Sequence, residues 1–386
     1  MSDMQLEPAL SLPSGFRFDE VSSVTAPRAR GASVPSLGPL AAFTGTFRGS
    51  GFNTIFRPDS TATPTKLPVP VSGSDNVLEL NLTLETLSFS ASLGSVPNRG
   101  MVQGDIFLNG VPYLQSIEDV TVPSQPVGIH FEPGLWMAVP ATTDPAEGAT
   151  VVRMASIPHG TSVEAQGTST TVAGKPTIPA ADITPFSTAP PHSPTPFPSQ
   201  TAATPGTARI PQDLAPFVAA GTITQAMLTD PNTLLRNHIA SQTITSTTVI
   251  SISSEPAAPL FGGGTGNIAF LLGNATASAP NAQTLKMDAT FWIETAEFTI
   301  EVPLFEPGQP PLIIPAQTGA AGQPVPEFLV NPPIPITAPR TITVKATQIQ
   351  YSQQVFLNFN TLTWPHVSVA TLVPSSPISI PASAWA

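Results

Sequence analysis

There is no cysteine in this chain, so disulfides, thiolate metal sites and cysteine nucleophiles are excluded. Charge is scarce too: Asp, Glu, Lys and Arg make up 10% of the residues, with a net charge of −11. So few cations form no basic stripe to displace counter-ions from a phosphate backbone, and a nucleic-acid partner is not expected. The same balance argues against an anionic membrane surface. No apolar run approaches the ~18 residues that cross a bilayer as a helix. The opening Met1-Ser2-Asp3-Met4-Gln5-Leu6-Glu7 has neither the basic nor the apolar region of a secretory leader, so the expectation is a soluble cytoplasmic protein with no membrane partner.

What the chain has in quantity is proline, 47 of 386 residues, beside 41% apolar residues. Disordered chains are poor in apolar side chains and rich in charge. This composition is the reverse, so the chain should bury a sizeable core and place its prolines in turns, edge strands and ordered loops.

Periodicity organises the rest. Residues 1–40 read as an irregular N-terminal arm, 41–168 as the first part of a β-barrel, 169–240 as a Pro-rich excursion with a small helical insert, and 241–386 as the second part of the barrel. In 43–58, glycines at 45, 49 and 51 stand among aromatic residues, which suits a first strand that must bend tightly or let another backbone approach. Over 77–90, Leu78, Leu80, Leu82 and Leu84 alternate with Glu79, Asn81, Thr83 and Glu85, predicting a buried leucine face and a wet polar one. Leu87 and Phe89 then shift parity, which predicts a bulge near Thr86. A strand pair is expected across Asn109-Gly110, a hairpin across 143–148, and strands over 241–254, 267–272, 285–302, 341–359 and 366–372. Helices are expected at 211–220, 224–228 and 231–240, where Gly221 suits a C-terminal cap and Asp230-Pro231 an N-terminal one. The sum is an all-β protein: a large antiparallel lipocalin-like barrel of roughly ten strands with long Pro-rich loops.

Three patches carry a family resemblance. Gly45-Thr46-Phe47-Arg48-Gly49-Ser50-Gly51 resembles the opening motif of the nitrobindin-like proteins, within the lipocalin and fatty-acid-binding-protein barrel architecture. The segment from His130 to Trp136, with Ala155-Ser156-Ile157-Pro158-His159-Gly160, is similar to that family's central hairpin, and 364–372 to its last strand. Phe47 stands where a tryptophan is usual. The resemblance implies haem in the barrel mouth with His366 as its axial metal ligand, and Trp364, Phe47 and Arg48 as further cofactor-binding residues. It also implies binding of a diatomic gas or peroxide chemistry at the open iron position.

The residues themselves supply further candidates. His366 shares a strand face with Ser368, Ala370 and Leu372, so an inward orientation of that face would set the imidazole over a cavity. His130 and Glu132 lie two apart on a strand and can bond to each other, either as an acid/base pair or as a polar pair that fixes the interior. His159 reads as a bend residue, His192 as a loop residue and His238 as a helix residue. None has a partner at metal-ligand spacing, and there is no G-x-S-x-G elbow. Arg48, Arg57 and Arg153 suit a carboxylate ligand or a haem propionate, or surface pairing with Glu79, Glu85 or Glu164. Trp136, Trp292 and Trp364, with Phe52, Phe56 and Phe291, suit a pocket wall or ordinary core. The leading expectation is therefore a barrel that binds a hydrophobic small molecule or cofactor, haem being its sharpest form. The alternatives are a cofactor-free enzyme acting on an apolar metabolite through His130 and Glu132, and a structural or interaction protein with a filled barrel.

Overall fold

Alternating apolar and polar residues make long strands here, and the strands find their partners next to them in the chain. A computed structural model describes residues 34–255, 263–273, 280–317 and 323–385. The barrel strands are β1 (Gly45–Pro58), β2 (Asn76–Phe89), β3 (Ile106–Asp119), β4 (Val127–Val139), β5 (Thr150–Ile157), β6 (Thr161–Ala173), β7 (Thr243–Ser253), β8 (Gln283–Val302), β9 (Arg340–Phe359) and β10 (Leu362–Pro374). Each pairs antiparallel with the next, and β10 returns to pair with β1. The result is a closed ten-strand up-and-down barrel.

The β1–β10 seam explains the glycines of β1. A Cβ on Gly49 would lie 1.9 Å from the Thr371 carbonyl oxygen, and one on Gly51 2.2 Å from that of Val369. Only glycine lets the two backbones come this close.

The leucine alternation of β2 is real, but its faces are reversed. Asn81, Thr83 and Glu85 are buried inside the barrel, while Leu84 is 50% exposed on the outside. Leu78 and Leu80 are also outward, yet fully buried, because a second layer of chain covers them. Leu87 and Phe89 simply continue the inward face of Glu85. The β1–β2 register runs unbroken through Thr86, so there is no bulge. Two other expectations change as well. Asn109-Gly110 lies within the continuous strand β3 rather than in a turn, and 267–272 ends in a short helix, α4 (Ala269–Leu272), after a strand at Gly264–Asn267.

The covering layer is the Pro-rich excursion between β6 and β7. It pairs Arg209 and Ile210 in parallel with Leu78 and Glu79, and Phe186 and Ser187 with β10. It also forms three short helices, α1 (Ala215–Ala220), α2 (Gln225–Thr229) and α3 (Thr233–Ile239). Arg209 organises it from within, donating to the carbonyls of Ser199, Thr201, Thr204, Pro211 and Gln212. Apolar contact supplies the adhesion: Ile183, Leu214, Ile223, Leu228 and Leu235 are buried with the barrel's outer face. The fully buried carboxylate Glu294 sits on that wall, where Gln348 Nε2 donates to its Oε2 at 2.7 Å. Gln348 and Gln242 also exchange hydrogen bonds, and Gln350 donates to the Leu235 carbonyl of α3. Glu294 Oε1 and Gln350 Oε1 are left without partners among the described residues. Burial pushes the Glu294 carboxyl up to about 7, and lowers nearby His238 on α3 to about 4.

The expected arm at 1–40 falls largely outside the described residues. Among the described residues, no helix is long and apolar enough to cross a membrane.

Candidate functional site

Strand register puts a row of polar side chains on the inner wall. Directly opposed residues share a face, and the pairs Asn81–Asn53, Asn53–Ser368 and Ser368–Gln353 run across four adjacent strands. The side chains bond along the row: Asn81 Nδ2 donates to Asn53 Oδ1 at 3.3 Å, and Asn53 Nδ2 to Ser368 Oγ at 2.7 Å. Above and beside them a cavity of about 450 Å³ remains open at one end of the barrel. Its apolar lining includes Ile55, Ile117, Ile157, Val355 and Leu357, with Leu271 of α4 among the residues that border it. Its polar lining adds Gln115, Tyr351, His130, His159 and His366.

Beneath the cavity the barrel is filled. Glu85 is fully buried and accepts from Tyr351 Oη at 2.5 Å, Thr83 Oγ1 at 2.9 Å and Gln115 Nε2 at 3.4 Å. Burial pushes its carboxyl up, against those donors and His130. Alongside, Arg153 donates to Glu132 Oε1 at 2.5 Å, Tyr113 Oη at 2.8 Å and Gln353 Oε1 at 2.6 Å. Tyr113 donates to Glu132 as well. Burial alone would raise the Glu132 carboxyl, but Arg153, His130 and Tyr113 together hold it down at about 2. The Arg153 guanidinium also packs 5.4–5.7 Å from the ring centres of Tyr113, Trp136 and Phe291. Trp136 and Phe291 meet edge to face, and with Phe43, Phe47 and Phe89 they form an aromatic floor.

His366 lies with its neighbour Ser368 on the cavity wall. Its Nδ1–H donates to the Thr54 carbonyl at 3.0 Å, leaving Nε2 with the lone pair. Burial lowers its pKa to about 4, outweighing that hydrogen bond, so the ring is neutral at physiological pH. His130 Nε2 lies 3.1 Å from Glu132 Oε2, as their spacing on β4 requires. His159 Nε2 donates to the Ile129 carbonyl at 3.0 Å, with its ring centre 5.8 Å from that of His130.

The barrel thus brings His130, Glu132, His159 and His366 towards one end. It does not bring the other resemblance-based residues there. Arg48 is exposed on the outer surface, Phe47 belongs to the aromatic floor, and Trp364 packs among Phe56, Phe197 and Phe359 near the β9–β10 turn. Arg57 pairs with Glu79 at 2.9 Å, as its surface reading had it, whereas Arg153 pairs with the buried Glu132. His192 and His238 lie on the excursion, away from the cavity lining. Trp292 and Phe52 are buried core residues. A haem would find one suitable ligand, the His366 imidazole, with its other nitrogen tied to a carbonyl as ligating histidines commonly are. Its propionates would find no lysine or arginine among the residues lining the cavity. The described residues also include no group of three or more His, Asp or Glu arranged to hold a metal ion.

The polar row was missed from sequence because Asn53, Asn81, Gln115 and Gln353 sit in strands that read as half-wet. The available signal was their period-two position in strands long enough to close a barrel.

No family model matches the chain, and no curated protein matches it. Among solved structures, the crystal structure of Rv2717c from M. tuberculosis is similar over 89% of this chain and 100% of that one, at 10% identity and a TM-score of 0.33.

Proposed function

We propose that this protein binds a small amphipathic molecule inside the barrel. The observation that carries the reading is the cavity itself: about 450 Å³, within the usual range of ligand pockets, with an aliphatic wall and a few convergent polar groups. The filled region beneath it gives that end of the barrel a rigid base. A titration with the neutral dye Nile red tests the reading, run beside a Val355→Trp variant that blocks the space. Saturable one-to-one binding, lost in the variant, supports it. Absence of saturable binding, or binding unchanged by the block, overturns it.

A second reading is acid/base chemistry at His130. Its support is the 3.1 Å contact with Glu132, an ionised carboxylate that orients the imidazole. The lining serine, Ser368, has its oxygen engaged by Asn53, so a nucleophilic mechanism gains no support. A haem reading rests on His366 alone. Haemin titration tests it: a Soret band that saturates and disappears in His366→Ala would establish it, and an unchanged band would remove His366 as a ligand.

A further inference from the structure

The unpaired polar atoms of the cavity specify a ligand class, on the reading above that the cavity takes a ligand. Asn81 Oδ1 and Gln115 Oε1 have no protein partner among the described residues, although Asn81 Nδ2 and Gln115 Nε2 do. Gln353 Oε1 is occupied by Arg153, and its Nε2 has no partner. His366 uses Nδ1 on Thr54 and keeps Nε2 as an acceptor. All four residues line the cavity. These four residues therefore leave three acceptors and one amide donor unpaired in the lining.

No lysine or arginine is among the lining residues, and the ionised Glu132 accompanies His130. Arg153 is buried, with Tyr113, Gln353 and Glu132 taking its N–H groups. Arg57 is engaged by Glu79, itself a lining residue. An anion entering here would lose its hydration without gaining a lysine or arginine counter-ion, which is unfavourable. A carboxylate also has acceptors only and cannot answer Asn81, Gln115 or His366. A primary amide can donate two hydrogens and accept one bond.

We infer that the cavity selects an uncharged ligand bearing both a donor and an acceptor, such as a carboxamide or lactam on an apolar body, over a carboxylate of the same shape. The test uses three matched probes, decanamide, decanoate and decylamine, each displacing Nile red at pH 8. Decanamide should bind at least about tenfold more tightly than decanoate. Gln115→Met should remove most of that preference, read as the ratio of decanamide to decanoate affinity within the variant. Asn81→Leu provides the same test should the first variant fail to fold.

Outcomes separate the two levels of the argument. If Nile red does not bind saturably, the ligand-binding reading fails and this inference falls with it. If Nile red binds but decanoate competes as well as decanamide, or none of the three competes, ligand binding stands and the selectivity is overturned. Tightest binding by decylamine would overturn the uncharged assignment, placing a cation against the acceptors instead. A preference for decanamide that survives both variants would refute the part given to Gln115 and Asn81.

Discussion

Glu294 should make the fold weaken as pH rises from about 4.5 to about 7. The side chain is sealed on the outer wall of the barrel beside the helical insert, with one neutral donor, Gln348, and one oxygen unpaired. Burial moves its carboxyl from 4.5 to about 7. The folded state therefore holds a proton that the unfolded chain releases above pH 4.5. Stability is fully present below that pH and is lost as pH rises through the folded value. At about 1.4 kcal/mol per pH unit, the loss across this window is on the order of 3 kcal/mol. Glu294→Gln removes the titration and keeps an oxygen for Gln348. Urea unfolding of both proteins between pH 5 and 8.5 isolates the effect in their difference. Wild type minus variant should fall by about 2.5 kcal/mol, most of it between pH 5 and 7, and level off above. A flat difference, or one that rises with pH, would refute the assignment of a buried, uncompensated carboxylate.

Other perturbations have equally definite outcomes. Arg153→Met leaves Glu132 buried without its cation and should cost about 3–5 kcal/mol in denaturant unfolding, while adding Glu132→Gln should recover much of it. Equal losses in the single and double variants would show that the charge pair is not what matters. Gly49→Ala, whose Cβ meets the Thr371 carbonyl at 1.9 Å, should destabilise by roughly 1–3 kcal/mol or prevent folding. Gly128→Ala, with nothing within 4 Å, should stay within about 0.5 kcal/mol of wild type in the same melt. His366 should titrate near pH 4 in an NMR pH series. Because its folded pKa is depressed from 6.5, its contribution to stability is lost as pH falls from 6.5 through that midpoint; a midpoint at or above 6.5 would contradict the buried neutral ring.

Strand number and meander order were legible, because they depend on local alternation and turn residues. The grouping of His366 with Ser368 on one face was legible too, but not which way that face points. The His130–Glu132 contact follows from a spacing of two on one strand. The direction of the β2 faces was not legible. Alternation divides a strand into two sides but does not say which side is inside, and a covered barrel can bury both. Here Leu78 and Leu80 meet the Pro-rich layer, leaving the inner face to Asn81, Thr83 and Glu85. The partner of Arg153 was not legible for a related reason. Its partner Glu132 lies 21 residues away on the neighbouring strand, and only register brings them together. The excursion's order was equally hidden, since Arg209 achieves it through backbone carbonyls that carry no sequence pattern.

The seam between β1 and β10 also governs how the protein can be made. Asn53 and Ser368 bond across it although they are 315 residues apart. During synthesis β1 finds β2 early, yet its other edge has no partner until β10, with Ser368 315 residues after Asn53, has left the ribosome. Loop-closure entropy grows only logarithmically with length, so the difficulty is one of waiting rather than of energy. In that interval the nascent sheet has two raw edges, one of them rich in glycine, where another unfinished copy can pair. Slow translation before β10, or loss of β10, should therefore yield aggregates of open sheets rather than a smaller barrel.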